Sequence, residues 1–256
     1  MRRLLLLTLL LSLCAAAAGQ KRVVPAAQRS AKAPKAPEIG QTAVVLDETL
    51  SLLRVAPSLF AESIHRMQRG RRVQIQAVTE ADGAKFFKVT AQPSSVGWVQ
   101  ADAVFGKFRP GDEERCARLI QAMEGFEQIE TAVQFFSLYP NSQFRPAILL
   151  LFGDVLEEAA VKLTKDATNR LKRAEMAASG APLHSYFLNF VMLDRYRKLG
   201  ITFVFNSTSR QYHYDGASWR EIVAKAPAST EAAEAKKRLD SLKQKMELTS
   251  AVKTAP

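Results

Sequence analysis

The residues that could carry chemistry are few and widely spaced in this chain of 256 residues. Its three histidines are His65, His184 and His213, and none lies at metal-ligand spacing from another histidine or a cysteine. Cys116 has no histidine nearby in the sequence that would activate it as a nucleophile. We therefore predict no catalytic residue, no metal site and no cofactor, and we expect that the protein is not an enzyme.

Two polar groupings come closest to a reactive site. His213 lies between two tyrosines and, on a strand, would face opposite to both. We interpret it as a surface histidine, with a catalytic role as the alternative. Asp154, Glu157 and Glu158 have the spacing of a solvated helix face. The sequence has no phosphate-binding glycine loop and no interleaving of aromatic and basic residues, so we expect no specific nucleic-acid partner.

The composition is that of a globular protein with a basic surface. The chain is 47% hydrophobic and 24% charged, and its formal net charge is +11. A positive surface suits polyanions such as anionic wall polymers, although dispersed charge also serves general solubility. Of the two cysteines, Cys14 lies near the N-terminus and Cys116 far from it. We expect Cys116 to be a buried structural thiol and the fold to lack an internal disulfide.

The first residues have the three parts of a secretory signal peptide. A basic pair, Arg2 and Arg3, precedes the apolar run 4–13 and the small-residue segment 15–19. We predict a cleaved signal peptide over residues 1–19, because the apolar run is too short to span a bilayer as a permanent anchor. Its removal lowers the formal charge from +11 to +9. The predicted location is therefore the periplasm or the cell envelope.

Residues 20–40 are rich in proline, alanine and lysine and contain few large apolar residues. This composition predicts a semi-rigid linker. A lipoprotein would instead be acylated at Cys14, but Leu13 stands where a lipobox needs a small residue. We expect no transmembrane segment after signal cleavage, and the sequence does not indicate an oligomeric state.

Residues 41–108 show short apolar or alternating runs separated by turns, which indicates β-strands. The Asp82-Gly83 pair is a strong hairpin signal. The strand-like runs are 43–46, 50–55, 71–78, 86–89 and 97–99. Short strands at this density predict a small β-barrel, closed or nearly closed.

Residues 109–247 instead show helical periodicity. We predict a helical stretch from about 112 to 136 that Gly125 splits or weakens, followed by helices from about 146 to 180, 182 to 200, 219 to 225 and 230 to 247. A β-hairpin, 201–205 and 211–214, is inserted among them. Residues 248–256 are predicted to form a disordered tail.

The strand-rich region resembles the bacterial SH3 (SH3b) domains of cell-envelope proteins. The resemblance rests on the run 53–58 (LRVAPS), on the Gln68-Arg69-Gly70 turn before a Val-x-Ile strand, and on the Gly97-Trp98-Val99 close. It covers about a quarter of the chain. Leu52 stands where the family usually has Asn, and the loop 92–96 is long.

The resemblance implies binding of cell-wall peptides, peptidoglycan or protein partners. The candidate contact residues are Arg54, Phe86, Phe87 and Trp98, because flat aromatic rings beside basic groups suit an extended peptide or glycan. Phe86 and Phe87 are strand neighbours, so only one ring should face the barrel core. The other should be exposed or covered by another domain. Trp98 can also be a core residue.

The helical region contains an internal echo that resembles tetratricopeptide repeats. An aromatic helix leads into a Pro-x-Ser turn and a second helix at 132–142, and again at 219–229. Proline would end the first helix and serine would cap the next. Two imperfect copies are fewer than a free-standing solenoid needs, so ordinary packed helical hairpins remain the alternative.

The sequence thus predicts an α+β protein of two domains: an SH3-like β-barrel and a tetratricopeptide-like helical domain with an inserted β-hairpin. The predicted function is that of a non-enzymatic, exported envelope protein. Its barrel would bind wall peptide, peptidoglycan or an envelope protein, and its helices would mediate a protein–protein interaction. The alternatives are a structural scaffold without a ligand and an accessory subunit of a wall-remodelling enzyme.

Overall fold

The computed structural model of the chain describes residues 36–91 and 95–251. The predicted signal peptide, Cys14, most of the predicted linker and the end of the predicted tail lie outside the described residues. The described part mixes strands and helices, so the predicted α+β class is confirmed at that level.

One antiparallel sheet accounts for the first part of the described chain. Its strands are β1 (Thr42–Val45), β2 (Leu52–Arg54), β3 (Ser63–Arg66), β4 (Arg72–Ala81), β5 (Ala84–Ala91), β6 (Ser95–Gln100) and β7 (Val104–Phe105). They lie in the order β3-β2-β6-β5-β4-β1-β7, curled into a half-barrel. The sheet is open, because its two edge strands, β3 and β7, do not pair with each other. The sheet is therefore a half-barrel and not the closed or nearly closed barrel that we predicted.

Strand β1 is buried on both faces, which explains its unbroken apolar sequence. Ala43 and Val45 join the core inside the curl of the sheet. Val44 and Leu46, which alternate with them, join a second core that is shared with the helices. The half-barrel therefore packs against the rest of the chain through the outer face of β1.

Only residues 106–111 separate the last strand of the sheet from the first helix. They are α1 (Asp112–Ala122), α2 (Gly125–Leu138), α3 (Arg145–Arg170), α4 (Arg173–Ser179), α5 (Leu183–Leu188), α6 (Asp194–Arg197), α7 (Ala217–Lys225) and α8 (Thr230–Ala251). A two-stranded sheet, β8 (Phe203–Asn206) and β9 (Gln211–Tyr214), lies between α6 and α7.

The predicted order of helices and hairpin is observed, but the stretch predicted as one helix over 146–180 is divided into α3 and α4, and the stretch over 182–200 into α5 and α6. Gly125 has a φ of +62° and begins α2. It therefore separates two helices, which was one of the two alternatives predicted for this stretch. The inserted hairpin is confirmed, and its strands pair in antiparallel register. Helix α8 continues past 247, where we had predicted that the disordered tail begins.

Helix α3 is the centre of the helical region. Leu149, Phe152 and Leu156 lie in the core that it shares with α2 and α7. The β8–β9 hairpin lies on the same helix, and the backbone N–H of Tyr212 donates to the Thr164 hydroxyl over 2.9 Å. The hairpin thereby covers apolar side chains of α3 that would otherwise be exposed.

A buried carboxylate joins the sheet to the helices. Asp112, at the start of α1, is 2% exposed and accepts a hydrogen bond from the Gly106 N–H over 3.0 Å. It also pairs with Arg109 over 2.7 Å and with Arg115 over 3.1 Å. The Tyr139 hydroxyl, just beyond the end of α2, donates to the Gly106 carbonyl over 3.2 Å. Gly106 is thus fixed to both α1 and the end of α2.

Candidate binding surface

Two of the predicted contact residues lie side by side on the sheet. Arg54 on β2 is directly opposite Trp98 on β6, and Trp98 is directly opposite Lys88 on β5. Residues that face each other across antiparallel strands share a face, so these three side chains form a row. The row is half-buried. It combines an indole ring with two cationic side chains.

The other two predicted contacts are not available to a ligand. The side chains of Phe86 and Phe87 are both 0% exposed. Phe87 belongs to the core inside the curl and packs edge-on against Phe108, with ring centroids 6.4 Å apart. Phe86 points to the opposite face of β5, where we had expected either an exposed or a covered ring. The prediction that these rings contact a ligand is therefore wrong for this structure.

The loop between β2 and β3 reaches across the sheet to the β4–β5 turn. Asp82 in that turn accepts hydrogen bonds from the Ser58 hydroxyl, over 2.6 Å, and from the Leu59 N–H, over 2.9 Å. These bonds lower the pKa of the Asp82 carboxyl. Strands β6 and β5 lie between β2 and β4 in the sheet, so the loop reaches past both of them to this turn. The β2–β3 loop is thus held in place at its tip.

Four exposed apolar side chains lie on this loop or on the neighbouring strands β3 and β6, and we call them the hairpin-tip patch: Val55, Phe60, Ile64 and Val96. Their exposed fractions are 56%, 89%, 46% and 48%, respectively. Large apolar residues at such exposure mark interaction surfaces when they lie together.

Gly97 lies where the β2–β3 hairpin comes closest to β6. A Cβ atom at this position would lie 2.7 Å from the Arg54 carbonyl oxygen and 3.0 Å from Cδ1 of Ile64. The absence of a side chain therefore lets the β2–β3 hairpin approach β6. Sequence reasoning used Gly97 only as part of a motif. The alternation of apolar residues in 50–55 could have indicated Val55, but nothing in the sequence indicated Phe60.

The interpretation of His213 as a surface residue is wrong. Its side chain lies in the interior, and His213 is 5% exposed, with Nδ1 3.0 Å from Oε1 of Glu157. The same oxygen accepts a hydrogen bond from Nζ of Lys245 over 2.8 Å, and Oε2 accepts one from the Tyr214 N–H over 2.9 Å. Glu157 therefore does not lie on a solvated face either. The cluster attaches the β8–β9 hairpin and α8 to α3.

The Glu157 cluster has the chemistry of a structural ion pair. Burial would raise the pKa of the Glu157 carboxyl, but its three hydrogen bonds outweigh that effect and lower the pKa to about 2. The carboxylate is ionised at neutral pH, so it cannot serve as a general acid. Within the described chain, no hydroxyl or thiol group bonds to His213 as a nucleophile would.

The remaining features of the described residues carry no reactive group. Cys116 is fully buried, as predicted, and burial raises the pKa of its thiol to about 12. In the part of the chain that the structure covers, no group of three or more histidine, cysteine and acidic residues could hold a metal ion. None of the described helices has the length and apolar character that crossing a membrane requires.

Comparisons with known proteins leave the chain without an assigned family. No protein-family model, no curated protein and no solved structure matches it. The resemblances to SH3b domains and to tetratricopeptide repeats stay predictions from the sequence.

Proposed function

We propose that this chain is a non-enzymatic binding protein of the cell envelope, which is exported by its predicted signal peptide. The half-barrel binds an extended segment of cell-wall peptide, peptidoglycan or an envelope protein. Contacts come from the hairpin-tip patch and from the adjoining row of Arg54, Trp98 and Lys88. The helical region mediates a contact with a second protein.

The observation that carries this proposal is the hairpin-tip patch. Phe60 is 89% exposed on a loop whose neighbouring residues are hydrogen-bonded to the sheet. A large apolar side chain on a fixed loop offers contact area without a large loss of conformational entropy on binding. The adjacent Arg54, Trp98 and Lys88 add hydrogen-bond donors and a ring, so the surface suits a polar chain with apolar side groups.

Co-sedimentation of the chain without residues 1–19 with purified peptidoglycan tests the proposal. We expect the wild-type protein to pellet and the Phe60→Ser variant to bind about tenfold more weakly, which corresponds to ~1.4 kcal/mol. The matched control is Val161→Ser on α3, since Val161 is 66% exposed but belongs to the helical region. The control should bind as the wild type does.

Two results would count against this function. Equal retention of wild type and Phe60→Ser would remove the hairpin-tip patch from the binding surface. No retention of the wild type, together with no protein captured from envelope extracts in a Phe60-dependent manner, would favour the second candidate, a structural scaffold without a ligand. That candidate has support of its own, because the sheet and the helices share a core through Val44, Leu46 and Phe105.

A further inference from the structure

A second concave surface lies where the sheet meets the helices, and we call it the junction cleft. It consists of two adjoining cavities of about 390 and 410 Å³. The two cavities share Gly106, Lys107 and Leu138. Each is within the size range of ligand sites, which is about 300–1,000 Å³. The cleft is separate from the hairpin-tip patch, so it needs an explanation of its own.

The floor of the junction cleft is rigid. Gly106 is bonded through its N–H to Asp112 and through its carbonyl to Tyr139. A Cβ atom at Gly106 would overlap the ring of Phe108, so this position has room only for glycine. The cleft is therefore formed before any ligand arrives, and binding would not have to order its floor.

The charges of the larger cavity are all positive. Arg72 and Lys107 line it, and its lining contains no aspartate or glutamate. Neither cation has an ion-pair partner among the described residues. Nearby Arg69 and Arg109 are both paired with carboxylates. The uncompensated charge of Arg72 and Lys107 favours an anionic ligand.

Neutral polar groups complete the lining. Gln41, Thr42, Gln134 and Ser137 face the larger cavity, and their side chains have no hydrogen-bond partner in the part of the chain that the structure describes. Amide and hydroxyl groups match the hydroxyl groups and ring oxygen of a sugar. The only aromatic residue of this lining is Phe108, so the cavity lacks the row of rings on which successive nucleotide bases stack.

From these observations we propose that the junction cleft binds an anionic sugar unit. The carboxylate or phosphate of the sugar pairs with Arg72 and Lys107, and its hydroxyl groups bond to Gln41, Gln134 and Ser137. This inference does not depend on the hairpin-tip patch or on the peptide that it binds.

Titration calorimetry of the chain without residues 1–19 tests the assignment with four probes. Glucuronate and glucose 6-phosphate carry the two kinds of anionic group, glucose is the neutral sugar, and acetate is the anion without a sugar. We expect both anionic sugars to bind at least tenfold more tightly than glucose and acetate. The comparison of glucuronate with glucose 6-phosphate shows which anion the cleft prefers.

Variants locate the binding in the cleft. We expect the double variant Arg72→Gln/Lys107→Gln to lose at least tenfold in affinity for the anionic sugars, and Gln134→Ala to weaken the sugars but not acetate. A matched control is Lys236→Gln/Lys243→Gln, which removes two exposed cations from α8. Both Arg72 and Lys107 are exposed, so their replacement should leave the unfolding transition unchanged.

Three outcomes would overturn the inference. The first is equal binding of acetate and glucuronate, which would make the cleft a simple anion site. The second is full affinity in the Arg72→Gln/Lys107→Gln variant. The third is displacement of glucuronate by a short single-stranded oligonucleotide at much lower concentration, which would indicate a nucleic-acid site.

Discussion

The two edges of the seven-stranded sheet differ in whether other parts of the chain cover them. At the β7 edge, the Val104 carbonyl accepts hydrogen bonds from Arg109 over 2.7 Å and from Arg115 over 2.9 Å. Both arginines are held by the buried Asp112. At the β3 edge, no backbone group of another described element pairs with the outer side of the strand. One edge is sealed against the helices, and the other faces solvent.

The difference shows which edge the rest of the fold covers and which edge it leaves exposed. Unpaired strand edges invite association, so proteins keep them short, irregular and charged. Strand β3 has four residues and a register shift opposite Leu53 and Arg54. Arg66 on this strand is exposed. These features discourage sheet extension at β3, while the hairpin-tip patch beside it remains open to side-chain contacts.

The β9 edge of the two-stranded sheet is covered by a helix in a similar way. On β9, the N–H groups of Tyr212 and Tyr214 donate to side chains of α3, namely Thr164 and Glu157. The small sheet is therefore sealed by a helix, as β7 is. In both places a buried or half-buried carboxylate is the acceptor at the centre of the seal.

Removing the Asp112 carboxylate, which holds the two arginines at the β7 edge, should have the largest effect on stability. Asp112→Ala leaves Arg109 and Arg115 without their carboxylate and the Gly106 N–H without its acceptor. We expect a loss of about 3 kcal/mol in the free energy of unfolding, because breaking a buried pair leaves an uncompensated charge. Urea denaturation measures it. A loss below ~1 kcal/mol would show that the arginines do not depend on Asp112.

The stabilisation that Glu157 provides at the β9 edge should depend on pH. The Glu157 carboxyl has a pKa of about 2 in the folded protein, below its ordinary value of 4.5 in an unfolded chain. Because the folded pKa is the lower one, the stabilisation is complete above pH 4.5 and is lost as the pH falls toward 2. Glu157→Gln should cost roughly 2 kcal/mol at pH 7, since hydrogen bonds to a charged group are lost.

Thermal unfolding between pH 7 and pH 2 checks this prediction. The stability difference between wild type and Glu157→Gln should shrink as the pH falls below 4.5. Glu158→Gln is the matched control, because Glu158 is adjacent to Glu157 but is exposed and takes no part in the hydrogen bonds of this cluster. A constant difference over the whole range would contradict the assignment.

At the open edge, the sensitive position is the contact between β2 and β6. Gly97→Ala places a Cβ atom 2.7 Å from the Arg54 carbonyl oxygen and 2.8 Å from Cγ of Leu53. We expect a loss of about 1–2 kcal/mol from overpacking, measured by urea denaturation. The neighbouring Val96→Ala, at an exposed site, should change stability by less than ~0.5 kcal/mol. Equal effects of the two changes would argue against the close approach.

The smallest stability effect is expected at the hairpin-tip patch itself. Phe60→Ser removes a ring that is 89% exposed, so the free energy of unfolding should change by no more than about 0.5 kcal/mol. Differential scanning calorimetry would measure it beside the binding assay described above. A loss of more than ~1 kcal/mol would mean that the ring packs against the fold and that this edge of the sheet is partly covered.

Local patterns predicted the elements of this fold well. Proline, glycine and apolar spacing placed α3 and the β8–β9 hairpin, and the stripe that contains Cys116 indicated its burial. These signals are contained within a few neighbouring residues. The chain therefore specified them without reference to distant parts of the sequence.

The candidate surface was harder to predict, because it depends on contacts between distant residues. Strand alternation indicated that Phe86 and Phe87 face opposite sides, but it did not reveal that both sides are covered. Glu157 and His213 looked unrelated because 56 positions separate them in the chain. The open edge at β3 follows from strand order, which short patterns do not encode.

The fixation of Gly106 has a mechanical consequence. This residue is bonded at once to Asp112 of α1 and to Tyr139 at the end of α2, so the segment that joins the half-barrel to the helices is fixed at both places. If the half-barrel binds the cell wall as we propose, a load applied to it would be transmitted directly to α1 and α2. A second protein bound by the helices, as we propose, would then move together with the half-barrel.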